Sequence, residues 1–124
     1  MAFTTEFVMG AGGAEVQSQV VAWDTTGAAS GSVTPVAAIA TGSVRNWRIV
    51  FSGTESNHYR TTLMSEVLIN GNTIGNLGSG TPGFTGFSAL VTGSDLIDVS
   101  VRRNTTLATG GSLWSGVAFW WPED

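Results

Sequence analysis

The residues that could do chemistry in this chain are few, and each stands in a pattern that a particular reaction would have to complete. Gly78-Ser79-Gly80-Thr81-Pro82-Gly83 matches the glycine spacing of a dinucleotide-binding loop. That chemistry needs a preceding strand, a helix opening at the third glycine and an acidic residue about twenty positions on. Phe84-Thr85-Gly86-Phe87 follows instead and opens no helix, so the stretch reads as a loop. His58, between Asn57 and Tyr59, is the only histidine. A catalytic histidine needs an orienting carboxylate and an activated nucleophile, and no serine here stands in a nucleophile-elbow pattern. Without cysteine, a zinc site at His58 would need several carboxylates. An exposed loop residue is the simpler account. Asp95 and Asp98 point to different faces of a strand start, whereas calcium gathers roughly six to eight oxygens from a looped cluster. Asp95 suits a turn. Asn104-Thr105-Thr106 has the form of a glycosylation acceptor, but Met1–Glu6 has no positive region or long apolar run to begin a secretion signal. No catalytic, cofactor-binding or metal-binding constellation forms. The chain is expected to be non-enzymatic and to need no cofactor.

Tryptophan carries the remaining signal. Trp23, Trp47, Trp114, Trp120 and Trp121 each bring a large apolar area with one N–H donor. Three uses stay open: core packing, contact with another subunit, where aromatics are enriched, and stacking on the rings of a glycan. Trp120 and Trp121 are adjacent, and neighbours on a strand face opposite sides. Only one of them can enter a core. The other must be exposed, covered by a loop or pressed against another subunit.

Strands must position these side chains. In Leu96–Arg102 the apolar Ile97, Val99 and Val101 alternate with Asp98, Ser100 and Arg102, the period-2 pattern of a half-buried strand. Leu113–Trp121 carries the heaviest aromatic load, and Pro122 should end it because proline cannot donate to a ladder. These two strands are expected to form a long hairpin at the heart of an antiparallel sheet. Upstream, Ala2–Met9 reads as a first strand before the Gly10–Gly13 break. Glu15–Trp23 alternates, with Val21 and Trp23 opposite Val20 and Ala22, and Asp24–Ser32 is a loop by composition. Val33–Ala40 contains Pro35 and, if extended, belongs at an edge. Ser43–Ser52 is a clear strand with Arg45, Trp47, Ile49 and Phe51 on one face, after which Gly53–His58 is expected to turn the chain. Tyr59–Ile69 reads as a strand leading to Asn70-Gly71, the strongest two-residue hairpin signal, with Ile74 in a short returning strand. Gly75–Gly83 should be irregular, Phe84–Val91 a strand, and Thr92–Asp95 a turn.

The sum is about eight short strands with turn signals roughly every ten residues, which predicts an all-β, antiparallel β-sandwich of jelly-roll type. Residues 1–124 fit one domain. Charged residues make up 11% of the chain, against an ordinary fraction of about 25%. Much of the surface is therefore neutral or faces another protein. The net charge of −4 argues against nucleic acid as a partner. Val67–Ser94 holds no charge, yet Gly71, Gly75, Gly78, Gly80, Gly83 and Gly86 with Pro82 interrupt it too often for a membrane-spanning helix. All five basic residues are arginines, and lysine is absent.

On Ser94–Arg102 followed by Ser115–Trp121, the chain resembles the end of small jelly-roll virion proteins. As a lysine-free β chain rich in Ala, Gly and Thr, it is similar in style to minor tail or capsid-accessory (decoration) proteins of tailed phages infecting GC-rich actinobacteria. The resemblance implies a structural protein in a virion assembled in the host cytoplasm. It further implies homo-oligomers, trimers above all, contacts with other virion proteins, and possible contact with a host-surface glycan. The alternative from another class is a carbohydrate-binding module that uses exposed tryptophans.

Overall fold

Alternation of apolar and polar side chains becomes strand along most of the chain. The structure, a computed structural model, describes residues 16–25, 28–57, 65–77, 83–103 and 112–123. The strand expected at Ala2–Met9, His58 with Tyr59–Met64, most of the Gly78–Gly83 loop and the Asn104–Thr106 triplet lie outside these residues. The strands are β1 (Gln17–Asp24), β2 (Val33–Asn57), β3 (Ser65–Ile69), β4 (Asn72–Leu77), β5 (Gly83–Arg103) and β6 (Ser112–Pro122). They form one antiparallel sheet in the order β1-β6-β2-β5-β3-β4.

The two long strands make this sheet into a sandwich. Residues 33–40 of β2 pair with 96–102 of β5, and residues 45–55 pair with 83–94. Between the two runs the register shifts twice, from Ala40 to Arg45 and from Arg45 to Trp47. Gly42 and Gly93, with φ of +88° and +58°, adopt the left-handed backbone that such a corner requires. β6 meets β2 only beyond this corner, from Trp47 to Asn57, and β3 meets β5 only from Val99 to Arg103. One layer is therefore β1, β6, the second half of β2 and the first half of β5. The other is the first half of β2, the second half of β5, β3 and β4.

Side chains of both layers form one apolar cluster, including Val21, Trp47, Ile49, Val67, Ile97, Val99 and Trp114. Counted as halves, the bent strands give eight segments, each layer mixing segments remote in sequence. This is the jelly-roll arrangement, as expected. Pro35 also lies where expected, since β2 before the corner has β5 on one side only. Asn70 and Gly71, with φ of +49° and +82°, make the two-residue turn of the β3–β4 hairpin.

Several local expectations are corrected. Leu96–Arg102 and Leu113–Trp121 are strands but not a hairpin: β5 pairs with β2 and β3, while β6 inserts between β1 and β2. Gly53–Asn57 continues β2 and does not turn. Gly53 lies opposite Gly116 of β6, and a Cβ on it would come 2.6 Å from Trp114 Cζ2 and overlap the Ser115 carbonyl. The glycine marks a close approach inside a strand. Gly75 likewise sits within β4, where a Cβ would overlap the Phe87 ring from the other layer. Thr92–Asp95 is the corner inside a continuous β5. It is held by the Gly93 N–H donating to Asn46 Oδ1 at 3.0 Å and by the Ser94 hydroxyl donating to the Leu96 carbonyl at 2.8 Å.

Candidate interaction surface

The five tryptophans divide by strand parity. Trp114 is fully buried and organises one end of the core. Its ring stacks on Trp23 with centroids 4.6 Å apart and planes 9° from parallel. Phe51 meets it edge-on at 6.3 Å. Its Nε1–H donates to Thr85 Oγ1 at 2.6 Å, which satisfies the buried donor. The bare Gly53–Gly116 pair leaves room for the indole, since a Cβ on Gly116 would reach 2.7 Å from Cη2. Trp47 is buried near the corner and donates from Nε1 to the Ser94 carbonyl at 2.8 Å. Trp120, paired with Ile49, also points inward and is 8% exposed. Trp121 points outward and is half-buried. One of the adjacent pair enters the core and the other does not, as strand geometry requires. Four of the five indoles are thus core residues of this chain, and Trp121 presents surface.

Buried polar groups close the Trp114 end. Thr25 Oγ1 and Ser65 Oγ lie 3.0 Å apart, joining the end of β1 to the start of β3 across the two layers. Arg103 donates from Nη1 to the Ala28 carbonyl, and the Arg103 N–H donates to the Ser32 carbonyl at 3.0 Å. Nothing in the spacing of Thr25, Ser65 and Arg103 announces this meeting, because the fold alone brings them together.

Trp121 belongs to a broader outward face on the first layer. The ladder places it beside Arg48 of β2, which in turn pairs with Leu90 of β5. The next outward row is Ser18, Phe119, Val50 and Ser88, and the one after is Val20, Val117, Ser52 and Gly86. Val20 is 79% and Leu90 47% exposed, whereas their chain neighbours Val21 and Val91 are buried. The alternation in Glu15–Trp23 already set Val20 apart from Val21. It did not show that Val20, Val117, Phe119, Val50 and Leu90 share a surface, because that depends on which strands are neighbours.

The charge on this face is local and self-balanced. Arg48 donates from Nε to Glu123 Oε2 at 2.7 Å and from Nη2 to Oε1 at 3.1 Å, the two-pronged geometry that suits a carboxylate. The Glu123 N–H donates to the Asn46 carbonyl at 2.8 Å, which fixes Glu123 beside β2. The hydrogen bond from Arg48 holds the Glu123 carboxyl below its usual range, and the same bond raises the Arg48 guanidinium. No motif predicts this pair, whose members stand 75 residues apart.

No family model matches the chain, and no curated protein matches it. Solved structures do. A chain from the structure of infectious bursal disease virus, Gx strain, is similar with a TM-score of 0.51 at 10% identity. The match covers 85% of this chain and 32% of the viral one, so this chain spans about a third of that protein's length. A chain of the Bacillus endospore appendages, a family of disulfide-linked pili, is similar with a TM-score of 0.45 at 14% identity, covering 90% of this chain and 91% of that one. The sequence here contains no cysteine. At such identities the first likeness speaks to the fold: a jelly-roll-like sandwich.

Proposed function

We propose that this chain is a non-enzymatic structural protein that works by protein–protein assembly, as a minor tail or capsid-decoration subunit of a phage virion. The observation that carries the reading is the outward face of the first layer, where Trp121, Phe119, Val50, Val117, Val20 and Leu90 form a nearly uncharged sheet surface. Apolar side chains gathered on an outward sheet face, exposed at Val20 and Leu90 and half-buried at the other four, mark interaction sites. The jelly roll shared with a chain of a virus fits this role. In this reading the protein is made in the host cytoplasm and ends in the particle, beside copies of itself and other virion proteins. A mass-spectrometric inventory of intact, gradient-purified particles tests it. The chain should be present in many copies per particle, and its absence from clean particles would end the reading. Glycan binding would have to rest on Trp121, since the other four indoles are buried.

A further inference from the structure

We propose that two copies of this chain associate face to face through the outer surface of the first layer, with Arg48 of each copy set against Glu123 of the other. The proposal rests on the assembly reading and names its contact.

Charge narrows the approach, and apolar surface chooses the face. The chain carries a net charge of −4, so two copies repel each other over most approaches. On the second layer the outward side holds Glu66, Arg102 and the exposed Asp98. On the first layer, among the described residues and apart from Asp24 at the far end of β1 and the exposed Arg45 at the corner, the outward charges are Arg48 and Glu123. They already neutralise one another. Glu66 and Arg102 pair in the same way on the second layer, so charge leaves both faces nearly balanced, and the apolar rows of Phe119, Val50, Val117 and Val20 select the first.

Symmetry selects the geometry. In a two-fold contact, if one residue touches a second, the second touches the first in return. A face that holds one cation beside one anion is therefore complementary to itself. The pair spans the two central strands, with Arg48 on β2 and Glu123 at the end of β6. A two-fold axis lying in the interface, along the strands between β2 and β6, sets β6 of each copy over β2 of the other. It brings Phe119 over Val50, Trp121 over Arg48, and the two ion pairs at the end of the face into one four-charge group. Arg48 uses Nε and Nη2 within the chain, which leaves Nη1 for a second carboxylate. The four-strand face measures roughly 19 Å by 27 Å from ordinary strand spacing and rise. That is about 500 Å², at the low end of specific interfaces, so the dimer should be concentration-dependent.

Complementation between variants tests the contact. Sedimentation velocity over a concentration series should show a monomer–dimer equilibrium for the parent. Arg48→Glu alone and Glu123→Arg alone should each weaken it at least tenfold, with far-UV circular dichroism unchanged. An equimolar mixture of the two variants should recover the parent's dimer, because every contact across the axis again joins an acid to an arginine. A pair that acts only within one chain gives no recovery on mixing. Val50→Glu, placed under the partner's Phe119, should abolish the dimer. A parent that dimerises while the mixture shows no recovery, or while Val50→Glu leaves dimerisation intact, overturns this contact and leaves assembly standing. A trimer, or a monomer up to hundreds of micromolar, also overturns it. The particle inventory judges the assembly reading separately.

Discussion

The outward faces of the two layers come from the same strand alternation and reach different ends. On the second layer Leu96 and Val33 are exposed, but the outward positions around the β3–β4 hairpin are used for polar bonding. Arg102 donates to Glu66 Oε2 at 3.0 Å, Thr73 donates to Glu66 Oε1 at 3.4 Å, and the Asn70 side chain bonds Leu96 and Asp98. On the first layer the outward positions hold Trp121, Phe119, Val50 and Val20, with one ion pair at the end. A strand needs apolar residues only on its buried side. Apolar residues on both sides of β6 are therefore not needed to make the fold, which is why this face draws a functional reading and the other does not.

The same group placed on the two sides of the sandwich should have very different effects. Val99 is fully buried in the second layer, so Val99→Asp puts a carboxylate among Ile97, Val101 and Val67. The cost should be about 4 kcal/mol or more, enough to unfold a marginal domain. Val20→Asp, at a site 79% exposed, should change monomer stability by less than about 0.5 kcal/mol. Urea denaturation monitored by tryptophan fluorescence measures both. Equal losses would mean that Val20 is covered within the chain and that the first layer has no open face.

The adjacent tryptophans sharpen the same contrast at one residue's distance. Trp120→Ala empties a core position and should cost roughly 3 kcal/mol of monomer stability. Trp121→Ala should leave the monomer within about 1 kcal/mol of the parent and instead weaken association by roughly 2 kcal/mol, as for an interface hot spot. Denaturation at low concentration and sedimentation at high concentration separate the two effects. If Trp121→Ala keeps the parent's sedimentation profile, that indole contributes nothing to association.

Gly53 comes next in size. Gly53→Ala should cost about 1–3 kcal/mol, because the new methyl meets Trp114 and the β6 backbone at once. A shift in the Trp114 emission should accompany the loss. An unchanged midpoint in denaturant would show that the Gly53–Gly116 approach relaxes freely.

This site also marks where sequence reading stops. Parity was legible: Ile97, Val99 and Val101 point inward, and Trp120 and Trp121 face opposite ways, because alternation is a local property of the backbone. The β-sandwich class was legible for the same reason, together with Asn70-Gly71 and Pro35. Adjacency was not. The expected hairpin of Leu96–Arg102 with Leu113–Trp121 fails because both strands seek β2, from different layers. Gly53, Gly75 and Gly93 read alike as breakers, yet two sit in strands beneath aromatic rings and one bends a strand without ending it. Whether a glycine turns the chain or admits a ring depends on what packs against it, and local sequence does not carry that. The outward face was lost with adjacency, and so was the Arg48–Glu123 pair.

That ion pair gives the smallest effect expected on the monomer, and its pH dependence has a definite sign. The hydrogen bond from Arg48 lowers the folded pKa of Glu123 below its value in the unfolded chain. Between those two values the unfolded chain binds a proton that the folded chain refuses, so stability rises with pH across the interval. The contribution is complete above the ordinary carboxylate range of about 4.3 and disappears as pH falls through the lowered folded value. Arg48 stays charged throughout, so it adds no step of its own. The side chains are exposed and the pair is open to salt, so the effect on the monomer should be small and should shrink further at high ionic strength. The measurement is the melting temperature of the parent minus that of Glu123→Gln, followed from pH 7 downward at low salt and at a concentration where both are monomeric. The difference should be small and positive at pH 7, narrow below about pH 4, and vanish at lower pH. On the second layer, Glu66→Gln removes a carboxylate that also accepts from Thr73, so it tests whether a networked pair outweighs an isolated one. A parent that gains on Glu123→Gln as pH falls, rather than converging with it, would mean that Arg48 does not hold this carboxylate in the folded monomer, and that the pair forms only when a second copy supplies it.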